Sequence, residues 1–173
     1  IAGGTDLVGC LILGNLFSHV FKGEIQGQSL GIDIDVFTDN GKSTSDGEKG
    51  ELVVKNPFPS MPVKFWGDDD GQKYHKAYFT RYENIWHHGD FVERTSNNGF
   101  IMKGRSDATL NPGGVRIGTS EIYQQVEDID FITEGLVVGQ NYNDDVRIIL
   151  FVTTKGIQEL DKEKIKFIRS KIR

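Results

Sequence analysis

The chain has 173 residues, 37% of them apolar and 10% aromatic, enough to bury a core in one domain or two small ones. Its net charge is -5, from 20 basic and 25 acidic side chains, with no basic stripe, which argues against a nucleic-acid binder. Cys10 is the only cysteine, so an intrachain disulfide and a cysteine-rich zinc module are both excluded. No apolar run approaches the ~20 residues of a membrane span. Nothing reads as a secretory leader, so a soluble, cytoplasmic setting is expected.

In chain order, Leu7 to Leu13 predicts a buried strand, with Cys10 an unreactive thiol inside it. Gly31 to Phe37 alternates apolar and polar residues, the pattern of a half-buried strand. Asp39-Asn-Gly41 is a tight turn, and Gly50 to Lys55 is a further strand ended by Asn56-Pro-Phe-Pro59. Asp68 to Gly71 is a turn before the stretch Lys73 to Phe79. Asp90 to Arg94 and Phe100 to Lys103 pair as a hairpin across Ser96-Asn-Asn-Gly99. Short strands at this spacing suggest a small β-barrel or sandwich.

The pattern changes near Ser106. Thr119 or Ser120 can cap a helix running to about Asp128, with Glu121 in its first turn. Glu134 to Gly139 and Val146 to Thr153 read as strands. Leu160 to Ile172 reads as an amphipathic helix with Ile165, Ile168 and Ile172 on one face and its basic residues solvated. The expected architecture is α+β: mostly β over 1–106, then an α+β unit over 107–173. The chain starts at Ile1 inside a strand-and-turn unit and stops at Arg173 inside a helix, so it reads as part of a longer polypeptide.

Four segments could carry chemistry. Gly3-Gly-Thr-Asp6 reads either as a plain turn or as a glycine turn whose amides face phosphate oxygens, with Thr5 adding a hydroxyl and Asp6 a Mg2+ ligand. His87 and His88 are adjacent on an extended chain and point to opposite faces, a poor arrangement for one shared metal. Asp90, behind Gly89 at the start of a strand, could accept hydrogen bonds from vicinal ribose hydroxyls. Gly104 to Tyr123 combines Arg105, Asp107 and Arg116 with the flexible pair Gly113-Gly114. The arginines are planar bidentate donors suited to phosphate and ribose oxygens. A domain linker with solvated arginines fits that run as well.

Taken in order, Ala2-Gly-Gly-Thr-Asp6, Gly89-Asp90 and Gly104-Arg-Ser-Asp107…Gly114-Val-Arg116…Glu121-Ile122 resemble the adenylate-forming superfamily of acyl-CoA synthetases, luciferases and peptide-synthetase adenylation domains. The resemblance covers nearly the whole chain. It implies the last part of a large N-terminal domain followed by the start of a small C-terminal lid. It implies an acid–thiol ligase that uses ATP to make an acyl-adenylate and then hands the acyl group to coenzyme A, releasing AMP and pyrophosphate. It assigns Gly3, Gly4 and Thr5 to phosphate, Asp6 to Mg2+, Asp90 and Arg105 to ribose, and Arg116 to phosphate. Asp107 matches the hinge, and Gly113-Gly114 the loop lining the coenzyme A thiol channel.

The superfamily more often has Glu where this chain has Asp6, and many members carry an adenine-packing aromatic where Ala2 stands. Acetyl-specific members carry Trp where Gly3 stands, so glycine there implies room for acetoacetate or a similar short acid. The superfamily's upstream phosphate loop and C-terminal lysine have no counterpart within the chain. The resemblance therefore implies that the chain alone is inactive. A non-catalytic binder of nucleotide or protein, or another short-chain acyl-CoA synthetase, are the alternatives.

Overall fold

A computed structural model describes residues 1–143, 145–156 and 159–172. The chain forms two compact units, Ile1–Met102 and Lys103–Arg173.

The first unit holds one sheet and most of a second, whose last strand runs past Met102. Strands β1 (Ala2–Gly4), β2 (Gly9–Leu13) and β3 (Gly27–Gln28) make a three-stranded antiparallel sheet in that order. Strands β4 (Ile34–Phe37), β5 (Lys49–Val54), β6 (Trp86–Arg94) and β7 (Phe100–Arg105) make a four-stranded sheet, also in chain order. One core serves both: Leu7 of the β1–β2 turn and Leu11 and Ile12 of β2 meet Val36, Leu52, Val54, Trp86 and Val92 from the second sheet. Of the expected small barrel or sandwich, no closed barrel forms among the described residues. β1 has three residues and β3 only two, too little pairing to carry a sheet round onto itself.

Two strands differ from the expectation for physical reasons. β4 begins at Ile34 rather than Gly31, because Gly31 takes a φ of +80° and turns the chain first. It is also buried on both faces, since Asp35 points inward, where it accepts from Ser43 Oγ at 2.6 Å and meets Arg94 Nη1 at 3.5 Å. β6 begins at Trp86, well before Asp90, and so places Asp90 in a strand interior rather than at its start.

The stretch after Asp68 is helical: α1 spans Gln72–Tyr78. Asp68 is 3% exposed, and its carboxylate accepts from the amides of Lys73 at 3.0 Å and Tyr74 at 2.9 Å. These bonds satisfy donors at the helix start that have no partner within the helix. Burial alone would raise the Asp68 carboxyl, but the two amides, with Asp70 and the Lys73 charge, outweigh it and hold it below the usual carboxylate range.

The second unit contains α2 (Thr119–Glu127), the antiparallel hairpin β8 (Ile132–Tyr142) and β9 (Asp145–Thr154), and α3 (Lys162–Ile172). The cap of α2 is Gly118, one residue before the expected Thr119 or Ser120. Glu121 supplies the reciprocal bond, its Oε1 accepting from the Gly118 amide at 2.9 Å. Ile122 and Val126 of α2, Val137 of β8 and Ile168 of α3 are buried. Of the three isoleucines expected on one face of α3, Ile168 is enclosed at 6% exposure while Ile165 sits at the rim at 36%. No helix among the described residues is long and apolar enough to cross a membrane.

Candidate functional site

The Gly3–Asp6 segment is a hairpin, and its glycines are strand rather than turn. Gly3 and Gly4 belong to β1, and the turn is Thr5 to Val8, closed by the Val8 amide donating to the Thr5 carbonyl at 3.2 Å. Gly3 is required by close approach. A Cβ there would stand 2.2 Å from the Gly9 carbonyl oxygen and 2.7 Å from Cys10 Cα, where the β1–β2 register shifts. A side chain at this position meets β2 backbone first, so the missing bulk at Gly3 has a cause besides pocket volume. Cys10 itself is half-buried.

Thr5 and Asp6 sit exposed on that turn. The Tyr78 hydroxyl donates to Asp6 Oδ2. Tyr78 lies flat on the indole of Trp86, with ring centroids 3.6 Å apart and planes 12° from parallel. Trp86 is 2% exposed and anchors the aromatic core between α1 and β6.

From Trp86 the connections continue along β6. The indole N–H donates to His88 Nδ1 at 3.4 Å. An indole nitrogen can only donate, so Nδ1 is the accepting nitrogen and Nε2 carries the proton of the neutral ring. Nε2–H then faces two acceptors, the Gly3 carbonyl at 3.2 Å and Asp90 Oδ2 at 3.5 Å. A Cβ on Gly4 would come within 3.1 Å of His88 Cε1, so glycine there makes room for the imidazole. Gly89, at φ +85°, interrupts the strand where the β5–β6 register slips between Glu51 and Val53. Such a bulge re-aims neighbouring side chains, and it lies between His88 and Asp90. Asp90 is buried, with 11% of its side chain exposed.

His87 faces a different cluster. Its Nε2 is 3.0 Å from Oε2 of Glu51, which is fully buried, and Arg81 Nη1 is 3.1 Å from the other Glu51 oxygen. Arg81 also reaches Asp39 at 2.7 Å. Burial alone would lower the Arg81 guanidinium, but Glu51, Tyr82 and Asp39 more than reverse this and raise it. One edge of β6 is thus anchored through Glu51 while His88 and Asp90 reach toward β1.

The first unit therefore brings Gly3, Gly4, Asp6 and Asp90 together through His88, Trp86 and Tyr78. Among the described residues no group of three or more His, Cys, Asp or Glu side chains is placed to hold a metal. Mg2+ binds through one or two carboxylates plus substrate phosphates. Asp6, exposed on its turn with one oxygen held by Tyr78, fits that mode.

In the second unit, Arg105 and Asp107 approach at 3.5 Å, and both are largely exposed. Asp107 lies in a single 3-10 turn, Ser106–Ala108, and a second such turn spans Pro112–Gly114. Leu110 and Ile117 bridge in both directions, at 2.9 and 2.8 Å, and close the glycine loop at its base. Gly113 and Gly114 take φ of +58° and +81°, a left-handed pair that side chains rarely adopt. Arg116 sits half-buried on the same loop. The Gly113 amide donates to Asp145 Oδ1 at 2.8 Å, tying the loop to the start of β9. That bond and the Val146 amide hold the Asp145 carboxyl below its usual range. Asn111, Gly114, Asn141, Tyr142 and Asp145 border a shallow cleft of about 620 Å³ there.

Sequence reasoning missed Tyr78, Trp86, the role of His88, the Glu51–Arg81 pair and Asp145. Buried Glu51 gave a faint signal, as a charge in an otherwise apolar strand. The others are joined to the site only by tertiary contact.

No family model matches the chain. Solved structures place its fold: a benzoate CoA ligase from Burkholderia xenovorans superposes with a TM-score of 0.78 at 22% identity, covering 99% of this chain and 32% of that one. The architecture is that of the adenylate-forming ligases. Within that class the acetoacetyl-CoA synthetase of Streptomyces lividans superposes with a TM-score of 0.89 at 40% identity, over 99% of this chain and 25% of that one. The acetoacetyl-coenzyme A synthetase of Rhizobium meliloti (strain 1021) is 55% identical over all of this chain and 26% of its own length. That of Gallus gallus is 42% identical over the same shares. The chain is thus related over its whole length to acetoacetyl-CoA synthetases, and it spans about a quarter of the relatives it matches.

Proposed function

We infer that this chain is a portion of an AMP-forming acid–thiol ligase that activates acetoacetate with ATP and passes the acyl group to coenzyme A. The observation that carries this reading is the 55% identity with an acetoacetyl-coenzyme A synthetase along the entire chain. In the reaction, the acid's carboxylate attacks the α-phosphorus of ATP and pyrophosphate leaves. The coenzyme A thiolate then attacks the acyl carbon and AMP leaves.

Each residue has a task suited to its chemistry. Asp90, buried and steadied by His88, accepts from ribose hydroxyls, and Arg105 is a planar donor suited to ribose oxygens. Thr5 offers its hydroxyl to phosphate, and Asp6 offers a carboxylate oxygen to Mg2+. Held there, Mg2+ would supply positive charge against the phosphate oxygens. Arg116 adds a fixed cation to the same end. Asp107, in an exposed one-turn segment, is the hinge on which the small domain swings between the half-reactions. The side-chain-free surface at Gly113 and Gly114 suits passage of the thiol arm.

A calorimetric titration tests the ribose role. Asp90→Ala in the whole synthetase carrying this segment should weaken ATP binding by roughly ten-fold or more, the cost of losing hydrogen bonds to a charged group. Unchanged ATP affinity would remove Asp90 from the nucleotide site.

A further inference from the structure

Asp6 is held by the Tyr78 hydroxyl, and Tyr78 is the end of a chain of contacts that starts at Asp90. Asp90 meets His88 Nε2 at 3.5 Å, His88 Nδ1 accepts from Trp86, and Trp86 carries Tyr78 on its face at 3.6 Å. Two carboxylates 84 positions apart, residues 6 and 90, are thereby referred to one indole that is 2% exposed. Asp6 needs such a reference. It sits exposed on a turn whose Val8 is itself at a φ of +47°, and its side chain is one methylene shorter than Glu.

We propose that Tyr78 is a positioning residue that fixes the Asp6 carboxylate for Mg2+-bound nucleotide. The inference rests on the reading of Asp6 as the metal carboxylate. Tyr78 touches neither metal nor nucleotide in this role. Its hydroxyl holds Oδ2, and Oδ1 is then presented in one orientation instead of many. Removing only the hydroxyl keeps the stack on Trp86, so the fold is preserved while the carboxylate is released.

The test uses the whole synthetase carrying this segment and calorimetric binding of α,β-methylene-ATP, with Mg2+ and with EDTA, so that no turnover enters the readout. Tyr78→Phe should weaken binding roughly ten-fold with Mg2+ and leave both the EDTA affinity and the unfolding midpoint unchanged. Asp6→Asn should produce a loss confined to the Mg2+ arm, and adding Tyr78→Phe to it should cost nothing more. Equal losses of Tyr78→Phe with and without Mg2+, a lowered midpoint with binding intact, or additive losses in the double variant would each overturn the positioning role while leaving Asp6 as the metal carboxylate. An unchanged Mg2+ dependence in Asp6→Asn would overturn the metal role itself, and the positioning role with it.

Discussion

The carbonyl of Gly3 and the carboxylate of Asp90 face the same histidine nitrogen, at 3.2 and 3.5 Å from His88 Nε2. One N–H therefore stitches the edge of β1 to the interior of β6. This contact brings the candidate phosphate turn and the candidate ribose carboxylate into one site. It depends on Trp86, whose indole N–H sets which nitrogen of His88 carries the proton.

Gly3→Ala should destabilise the protein by about 1–3 kcal/mol, the usual cost of forcing atoms into a filled site. The added carbon would press on β2 backbone, which cannot swing aside as a side chain can. Denaturant unfolding measures this. A variant as stable as the parent would show that the β1–β2 approach relaxes freely, and the glycine would then be explained by pocket volume alone.

Glu51→Ala should cost about 1–3 kcal/mol, because it strips a fully buried carboxylate from Arg81 and His87 and leaves Arg81 with Asp39 alone of these two carboxylates. Equilibrium unfolding with urea reads the loss. Arg81→Ala should cost more, about 3–5 kcal/mol, since it takes the permanent cation away from the fully buried Glu51 carboxylate. The two losses should not add, as both break one cluster.

Acid should loosen the glycine loop. The Asp145 carboxyl is depressed in the folded state by the Gly113 and Val146 amides. Its contribution is fully present above the ordinary aspartate value of 3.8 and is lost as pH falls through the lower folded value. The Gly113 amide proton should shift upfield in NMR spectra over that acidic window. Asp145→Ala should show the same shift at neutral pH. Asp68 has the same sign, so the start of α1 should fray in the same direction of pH.

The parts legible in the sequence were those with local causes. Alternation marked β4, the Asn56-Pro breaker marked the end of β5, the Ser96–Gly99 turn marked the β6–β7 hairpin, and Glu121 marked the first turn of α2. The glycine pair at Gly3-Gly4 was misjudged as a turn, because the need for glycine came from a backbone that approaches from β2. β6 extends back beyond the expected Asp90 to Trp86, because Trp86 and His87 pair with Val54 and Val53, partners distant in sequence. Tyr78 was invisible as a site residue for the same reason: its partner Asp6 lies 72 positions away, and no period or motif joins them.

AMP release by the whole synthetase carrying this segment, measured with ATP, Mg2+ and coenzyme A across acetate, acetoacetate and longer acids, bears most directly on the function. Acetoacetate should give the highest kcat/KM, with AMP formed in step with acyl-CoA. A preference for acetate, or no AMP above background with acetoacetate, would contradict it.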